Sequence, residues 1–227
     1  MRFLATLSGA VLALVMTATA VQAAELVTNG DFATGDFTGW TLYTTASGSL
    51  GPAPAPQVSS FDVTGSGASL AAELQVGREP NAGAHAGGGI FQSITTVNGL
   101  LTFSADFASF ASTIANQSGG LFSVLLDGVT LNSFDTGSID DFAIERGTLA
   151  FSTLVTAGTH VLSLQATRPF TTGSPNPLYG RTPFQYFDNI SATQGAVPEP
   201  ATWGLMIMGF GLAGGALRRR ARIANLA

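Results

Sequence analysis

The sequence predicts an all-β, antiparallel β-sandwich carried between an N-terminal signal peptide and a C-terminal transmembrane helix. Three observations lead there. Between residues 24 and 195, runs of Val, Ile, Leu, Phe and Thr alternate with small polar residues and are broken by Gly, Pro, Asn or Asp, the pattern of short antiparallel strands. No apolar stripe at helical spacing runs through that region. At the two ends, by contrast, the apolar residues are continuous.

The N-terminal element comes first. Arg2 gives a positive n-region, residues 4–15 an apolar h-region and Val21-Gln22-Ala23 a small-residue cleavage site. Residues 1–23 are therefore expected to be removed by cleavage after Ala23. The apolar core is short for a permanent membrane span.

Strands are expected at 25–28, 40–45, 58–63, 69–76, 89–95, 100–109, 120–126, 129–135, 148–154, 160–167 and 186–193. Asp127-Gly128 joins two of them as a type I′ hairpin turn, because Gly tolerates the positive φ that the turn demands. The run 121–126 is apolar on both faces, which places it centrally in a sandwich. That many short strands call for two stacked sheets. The proline-rich stretch 51–57 is a stiff, extended connection suited to a crossover between them. Gly87-Gly88-Gly89 marks flexibility or a bulge, in a loop spanning 81–89. Trp40, Phe61, Phe91, Phe103, Phe107, Phe122, Phe134, Phe151 and Phe187 sit in strand patterns and read as core.

Charge narrows the partners. The chain has nine basic residues, all arginine, and fourteen acids. Five arginines (Arg2, Arg218, Arg219, Arg220, Arg222) and Glu199 lie in the terminal segments, leaving four arginines against thirteen acids between Ala24 and Val197. Such a surface repels nucleic acid and anionic lipid, and leaves glycans, calcium or neutral partners. Without cysteine there is no disulfide, thiolate metal site or cysteine nucleophile.

Residues with chemistry to offer are few. His85 and His160 are not accompanied by a nucleophile-elbow motif. Asp140, Asp141 and Glu145 supply the carboxyl groups that a glycosidase pair needs, although adjacent loop acids are ordinarily solvated charge. Tyr179 lies in the loop 171–182 beside Arg181, where its ring could stack on a sugar or simply pack against the loop.

The C-terminal element has three parts in order. Val197, Pro198, Glu199 and Pro200 form a rigid, extended turn, since proline fixes φ and removes donors. From Thr202 to Leu217 there is no charge, and a helix there reaches the lower limit for spanning a bilayer, with Trp203 at one interface. Arg218, Arg219 and Arg220 then stop it on the cytoplasmic side, so the middle of the chain is exported. Pro-Glu-Pro followed by Trp203, Met206, Ile207, Gly209, Phe210 and Gly211 before the arginines resembles the PEP-CTERM sorting signal of Gram-negative bacteria, a tail also labelled an ice-binding protein C-terminal domain. The resemblance spans 196–222. It implies export through the secretion machinery, an inner-membrane-anchored precursor, processing by exosortase, a membrane transpeptidase, and association with exopolysaccharide.

The exported region carries a second resemblance. Asn29-Gly30-Asp31-Phe32, then Gly39-Trp40, Gly88-Gly89-Ile90-Phe91-Gln92, Ala157-Gly158-Thr159-His160-Val161 and Phe187-Asp188-Asn189-Ile190 are similar to patterns of the galactose-binding-like jelly rolls, which include carbohydrate-binding modules. The resemblance implies a jelly-roll sandwich over 24–195. It also implies a structural calcium ion tying the first strand to the last, with Asp31, Asp36 and Asp188 as the ligands left to this chain. Ala33 stands where those modules place a glutamate. The expected protein is an exported, non-enzymatic component of the cell surface or extracellular matrix, associated with exopolysaccharide and biofilm. The alternatives are a lectin-like glycan-binding module and a glycoside-active enzyme.

Overall fold

Alternating side chains and frequent turns build two antiparallel sheets, in a computed structural model that describes residues 23–51, 53–77, 85–112, 117–169, 183–195, 204, 206–215 and 218. Thirteen strands occur among them: β1 (Ala24–Glu25), β2 (Thr41–Thr44), β3 (Gln57–Phe61), β4 (Ser69–Leu74), β5 (His85–Thr96), β6 (Gly99–Phe110), β7 (Gln117–Ser118), β8 (Leu121–Leu126), β9 (Val129–Asp135), β10 (Ser138–Ile139), β11 (Ile144–Val155), β12 (Gly158–Pro169) and β13 (Phe184–Gln194). One sheet runs β11-β6-β13-β4-β3, with β1 added to the far end of β13. The other runs β2-β5-β12-β8-β9, and β10 pairs with β7 alone. The chain divides into two units, Ala23–Val197, which holds this sandwich, and Met1–Gln22 with Pro198–Ala227.

The core lies between the sheets. Leu101, Phe103, Phe107, Leu149 and Phe187 face it from the six-stranded sheet, and Ile90, Ile94, Phe122, Val124, Leu162 and Leu164 from the other. Phe107 stacks on Phe122 at 4.4 Å between ring centroids, and Phe122 meets Phe187 edge-on at 5.5 Å. Truncating a ring buried in this way to alanine ordinarily costs about 3–5 kcal/mol.

The expected strands are found, except that 25–28 is strand only at Glu25, and 121–126 is interior as anticipated, bonded to β12 and β9. Asp127 and Gly128 have φ of 51° and 79°, the two positive values of a type I′ turn. Three expectations are corrected. The stretch 81–89 is not loop throughout, because β5 begins at His85 and its glycines pair residue for residue with Gln165, Ala166 and Thr167. The connection before β3 links the two sheets as expected but turns at Ala53 and Pro54 instead of running extended. Phe61 and Phe91 leave the main core for the outward faces, and Phe134 is 40% exposed although its ring still touches Phe107.

Phe61 belongs to a second apolar cluster, on the outward face of the six-stranded sheet. It stacks on Tyr186 at 3.8 Å with the rings parallel to within 2°, beside Phe110 and Phe184. Arg146 pins the segment after β3 there by donating through Nε and Nη2 to the Asp62 carbonyl. The Tyr186 phenol is pushed up by burial and by the neighbouring Glu73 carboxylate.

Candidate functional site

Alternation along each strand decides what the five-stranded sheet presents outward. Because Ile90 and Ile94, Leu162 and Leu164, and Phe122 and Val124 enter the core, Phe91, Ser163, Gln165 and Ser123 stand on the opposite face. Register then sets Tyr43, Gly89, Gln165, Ser123 and Ser133 in one row across the sheet. Thr41, Phe91, Ser163, Leu125 and Thr130 form the next row. Neither row contains a charged residue.

The Tyr43 hydroxyl donates to Gln165 Oε1 at 3.2 Å, and its ring meets Phe91 edge-on with centroids 6.0 Å apart and planes at 62°. Burial pushes the Tyr43 phenol up to about 12, so it remains a neutral hydroxyl throughout the physiological range. Gly89 lies between the two partners in the register. A Cβ there would come 1.8 Å from the Leu164 carbonyl oxygen, so the position holds no side chain and the Tyr43–Gln165 hydrogen bond reaches across it. Rings, one amide and several hydroxyls on a sheet face form a surface that can stack on a sugar ring and exchange hydrogen bonds with its hydroxyls.

At the other sheet, the first and last strands meet. The Glu25 carboxylate accepts from the backbone N–H groups of Leu26, Val27 and Ala192 at 3.1, 3.0 and 2.8 Å and from Ser191 Oγ at 2.6 Å. The residues expected to hold calcium are engaged locally. Asp31 Oδ1 accepts from the Ala33 N–H, and Asp36 Oδ1 accepts from Thr34 Oγ1 and the Thr38 N–H, which holds its carboxyl below the usual range. Asp188 is fully buried and accepts from Ser69 Oγ and the Asn189 N–H. Burial pushes its carboxyl up despite those hydrogen bonds, and the charges of Asp106 and Asp31 add to the rise. Among the described residues no group of three or more His, Asp or Glu side chains could hold a metal ion. Asp31, Asp36 and Asp188 are thus each held by donors of the protein itself.

The remaining candidates separate. Tyr179 and Arg181 lie outside the described residues. Asp140, Asp141 and Glu145 are exposed, the first two on the turn after β10. His160 Nδ1 bonds Asp127 Oδ2 at 2.6 Å and its Nε2 bonds the Thr156 carbonyl at 3.1 Å, which leaves neither ring nitrogen free to act as a base. His85 opens β5 in an exposed position.

Residues 196–220 match the PEP-CTERM protein-sorting motif. No curated protein matches the chain. Solved structures similar to it include TmCBM61 in complex with β-1,4-galactotriose, at 8% identity over 75% of this chain and 99% of that one, with a TM-score of 0.42. Another is the CBM22-2 xylan-binding domain of Xyn10C from Paenibacillus barcinonensis, at 14% identity over 73% and 97%, with a TM-score of 0.40. A third is the enzymatically active domain of tailspike protein 4 from bacteriophage CBA120, at 15% identity, 75% of this chain but 21% of that one, with a TM-score of 0.44.

The PEP-CTERM motif marks an exported, membrane-processed protein and implies exosortase-dependent processing. Within it, Gly209, Phe210, Gly211 and Arg218 are helical, Gly209 half-buried and the other three exposed. Val197, Pro198, Glu199, Pro200, Trp203, Arg219 and Arg220 lie outside the described residues. Among the described residues no helix is long and apolar enough to cross a membrane. Upstream of the PEP-CTERM motif, Ala24 pairs with Gln194, so Ala23, where signal cleavage is expected, and Gly195 leave the sandwich side by side.

Three of the buried glutamines carry structure that strand patterns alone do not announce. Gln92 bonds the Thr28 and Gly39 backbone, Gln185 bonds Val76, Gly119 and Pro183, and Gln194 bonds both the N–H and the carbonyl of Val97. The available signal is parity: Gln92 has the same strand phase as Ile90 and Ile94.

Proposed function

We propose that this chain is an exported, non-enzymatic glycan-binding protein of the cell surface or extracellular matrix, delivered and processed through its PEP-CTERM tail and associated with exopolysaccharide in biofilm. The observation that carries the binding role is the pair of uncharged rows on the outward face of the five-stranded sheet, where Tyr43, Phe91 and Gln165 are held together by one hydrogen bond and one ring contact. Aromatic rings supply a stacking surface, and Gln165 and Ser163 supply donors and acceptors without charge. Such a face suits a neutral polysaccharide, and the acidic balance of the exported region works against a phosphate-rich or strongly anionic one.

A panel of soluble polysaccharides tests the proposal by affinity electrophoresis, with release of reducing ends followed in the same samples. Retardation by at least one neutral polysaccharide without new reducing ends supports a binder. New reducing ends that disappear in Asp140→Asn or Asp141→Asn would replace it with a hydrolase, and inertness toward every sugar would point to a purely structural matrix role.

A further inference from the structure

We propose that the Glu25 carboxylate closes this domain, doing between its first and last strands what a calcium ion is expected to do in the jelly rolls it resembles, so that the fold needs no metal. Strand β1 is two residues long, and its two register pairs with β13 are too few to hold the end of a chain alone. The carboxylate adds four hydrogen bonds. Two reach Ser191 and Ala192, 166 and 167 residues away in sequence, and two hold Leu26 and Val27, which directly follow its own strand. Hydrogen bonds to an ionised carboxylate are about twice as strong as neutral ones, which suits one side chain to a task otherwise given to an ion.

The backbone of the same strand ends is also joined directly. The Leu26 N–H donates to the Ala192 carbonyl at 2.8 Å, and the Ile190 N–H to the Gly30 carbonyl at 2.9 Å. At Gly30 the two segments touch backbone to backbone, since a Cβ there would lie 1.9 Å from the Ile190 carbonyl oxygen. Calcium needs six to eight oxygens at about 2.3–2.6 Å. Here the carbonyls of Gly30 and Ala192 already accept backbone N–H groups, while Asp31, Asp36 and Asp188 are committed to Ala33, to Thr34 and Thr38, and to Ser69 and Asn189. Ala33 brings no carboxylate where the resembling modules place one. Glu25 returns that carboxylate to the same pair of strands from a different position, with hydrogen-bond donors as its partners.

The test uses the full-length chain in detergent. Thermal melting is recorded in EDTA and in millimolar calcium for the natural protein, Glu25→Ala and Glu25→Gln, and amide exchange is followed at Leu26, Val27 and Ala192. The natural protein is expected to melt at the same temperature in both solutions. Glu25→Ala is expected to melt several degrees lower and to exchange the Ala192 amide about tenfold faster, with Glu25→Gln between the two. Calcium raising the melting temperature of the natural protein, calcium restoring that of Glu25→Ala, or unchanged exchange at Ala192 in Glu25→Ala would each overturn the proposal. The calcium comparison on the natural protein stands even if a variant fails to fold.

Discussion

The Gln92 side chain bonds Thr28 as a neighbouring strand would, accepting from its N–H at 2.7 Å and donating to its carbonyl at 3.0 Å. A second donation, to the Gly39 carbonyl at 2.8 Å, completes the amide and fixes both sides of the segment that carries Phe32 and Trp40 into the core. Gln92→Leu keeps the volume but strands three backbone groups. Loss of about 2–4 kcal/mol is expected in urea unfolding, with secondary structure by circular dichroism retained.

Gly89→Ala is expected to destabilise by about 1–3 kcal/mol or more, because the added methyl meets a carbonyl oxygen that cannot move without shifting β12. The displaced β12 carries Gln165, so glycan retention should fall with stability. A variant as stable as the natural protein would mean that β5 and β12 are spaced more widely than described.

The Asp127–His160 pair makes stability depend on pH. Both ring nitrogens of His160 face acceptors, which favours the protonated ring, and its pKa rises above 6.5 chiefly through the Asp127 hydrogen bond. A raised histidine stabilises fully below its unfolded value and loses that contribution as pH climbs through the folded one. Asp127 is lowered from 3.8, chiefly by His160, so its contribution is present above that value and fades as pH falls through the folded one. The pair therefore helps most between about pH 4 and 6.5. Melting temperatures of the natural protein and His160→Asn should differ most in that window and converge above it. A difference independent of pH would contradict the assignment.

Tyr43→Ala and Tyr43→Phe separate ring from hydroxyl on the outward face. Removing the ring is expected to weaken retention by the best polysaccharide about tenfold or more, as loss of a central aromatic contact does. Tyr43→Phe should weaken it less, because only the bond to Gln165 is lost. Equal retention by both variants and the natural protein would move the binding surface elsewhere.

What the sequence discloses follows the range of the interactions. Interior strands and the Asp127-Gly128 turn are legible because alternation and turn chemistry act within a few residues. The starts of β5 and β11 are not, since Gly87-Gly88-Gly89 and Glu145-Arg146-Gly147 look like loop until β12 and β6 pair with them. The outward site is hidden for a related reason. Tyr43 and Gln165 are 122 residues apart and meet only through the register of β2, β5 and β12. Glu25 reads as an ordinary surface acid near the expected cleavage point, and its partners become visible only when β13 lies beside β1. The acids Asp31 and Asp36, by contrast, do the local turn chemistry that their spacing allows.

Mass spectrometry of the protein recovered from its native host tests export and tail processing together. A chain beginning at Ala24 and ending near Pro198-Glu199-Pro200, recovered from the cell surface or medium, is the predicted result. An intact polypeptide from Met1 to Ala227 in the cytosol would contradict it.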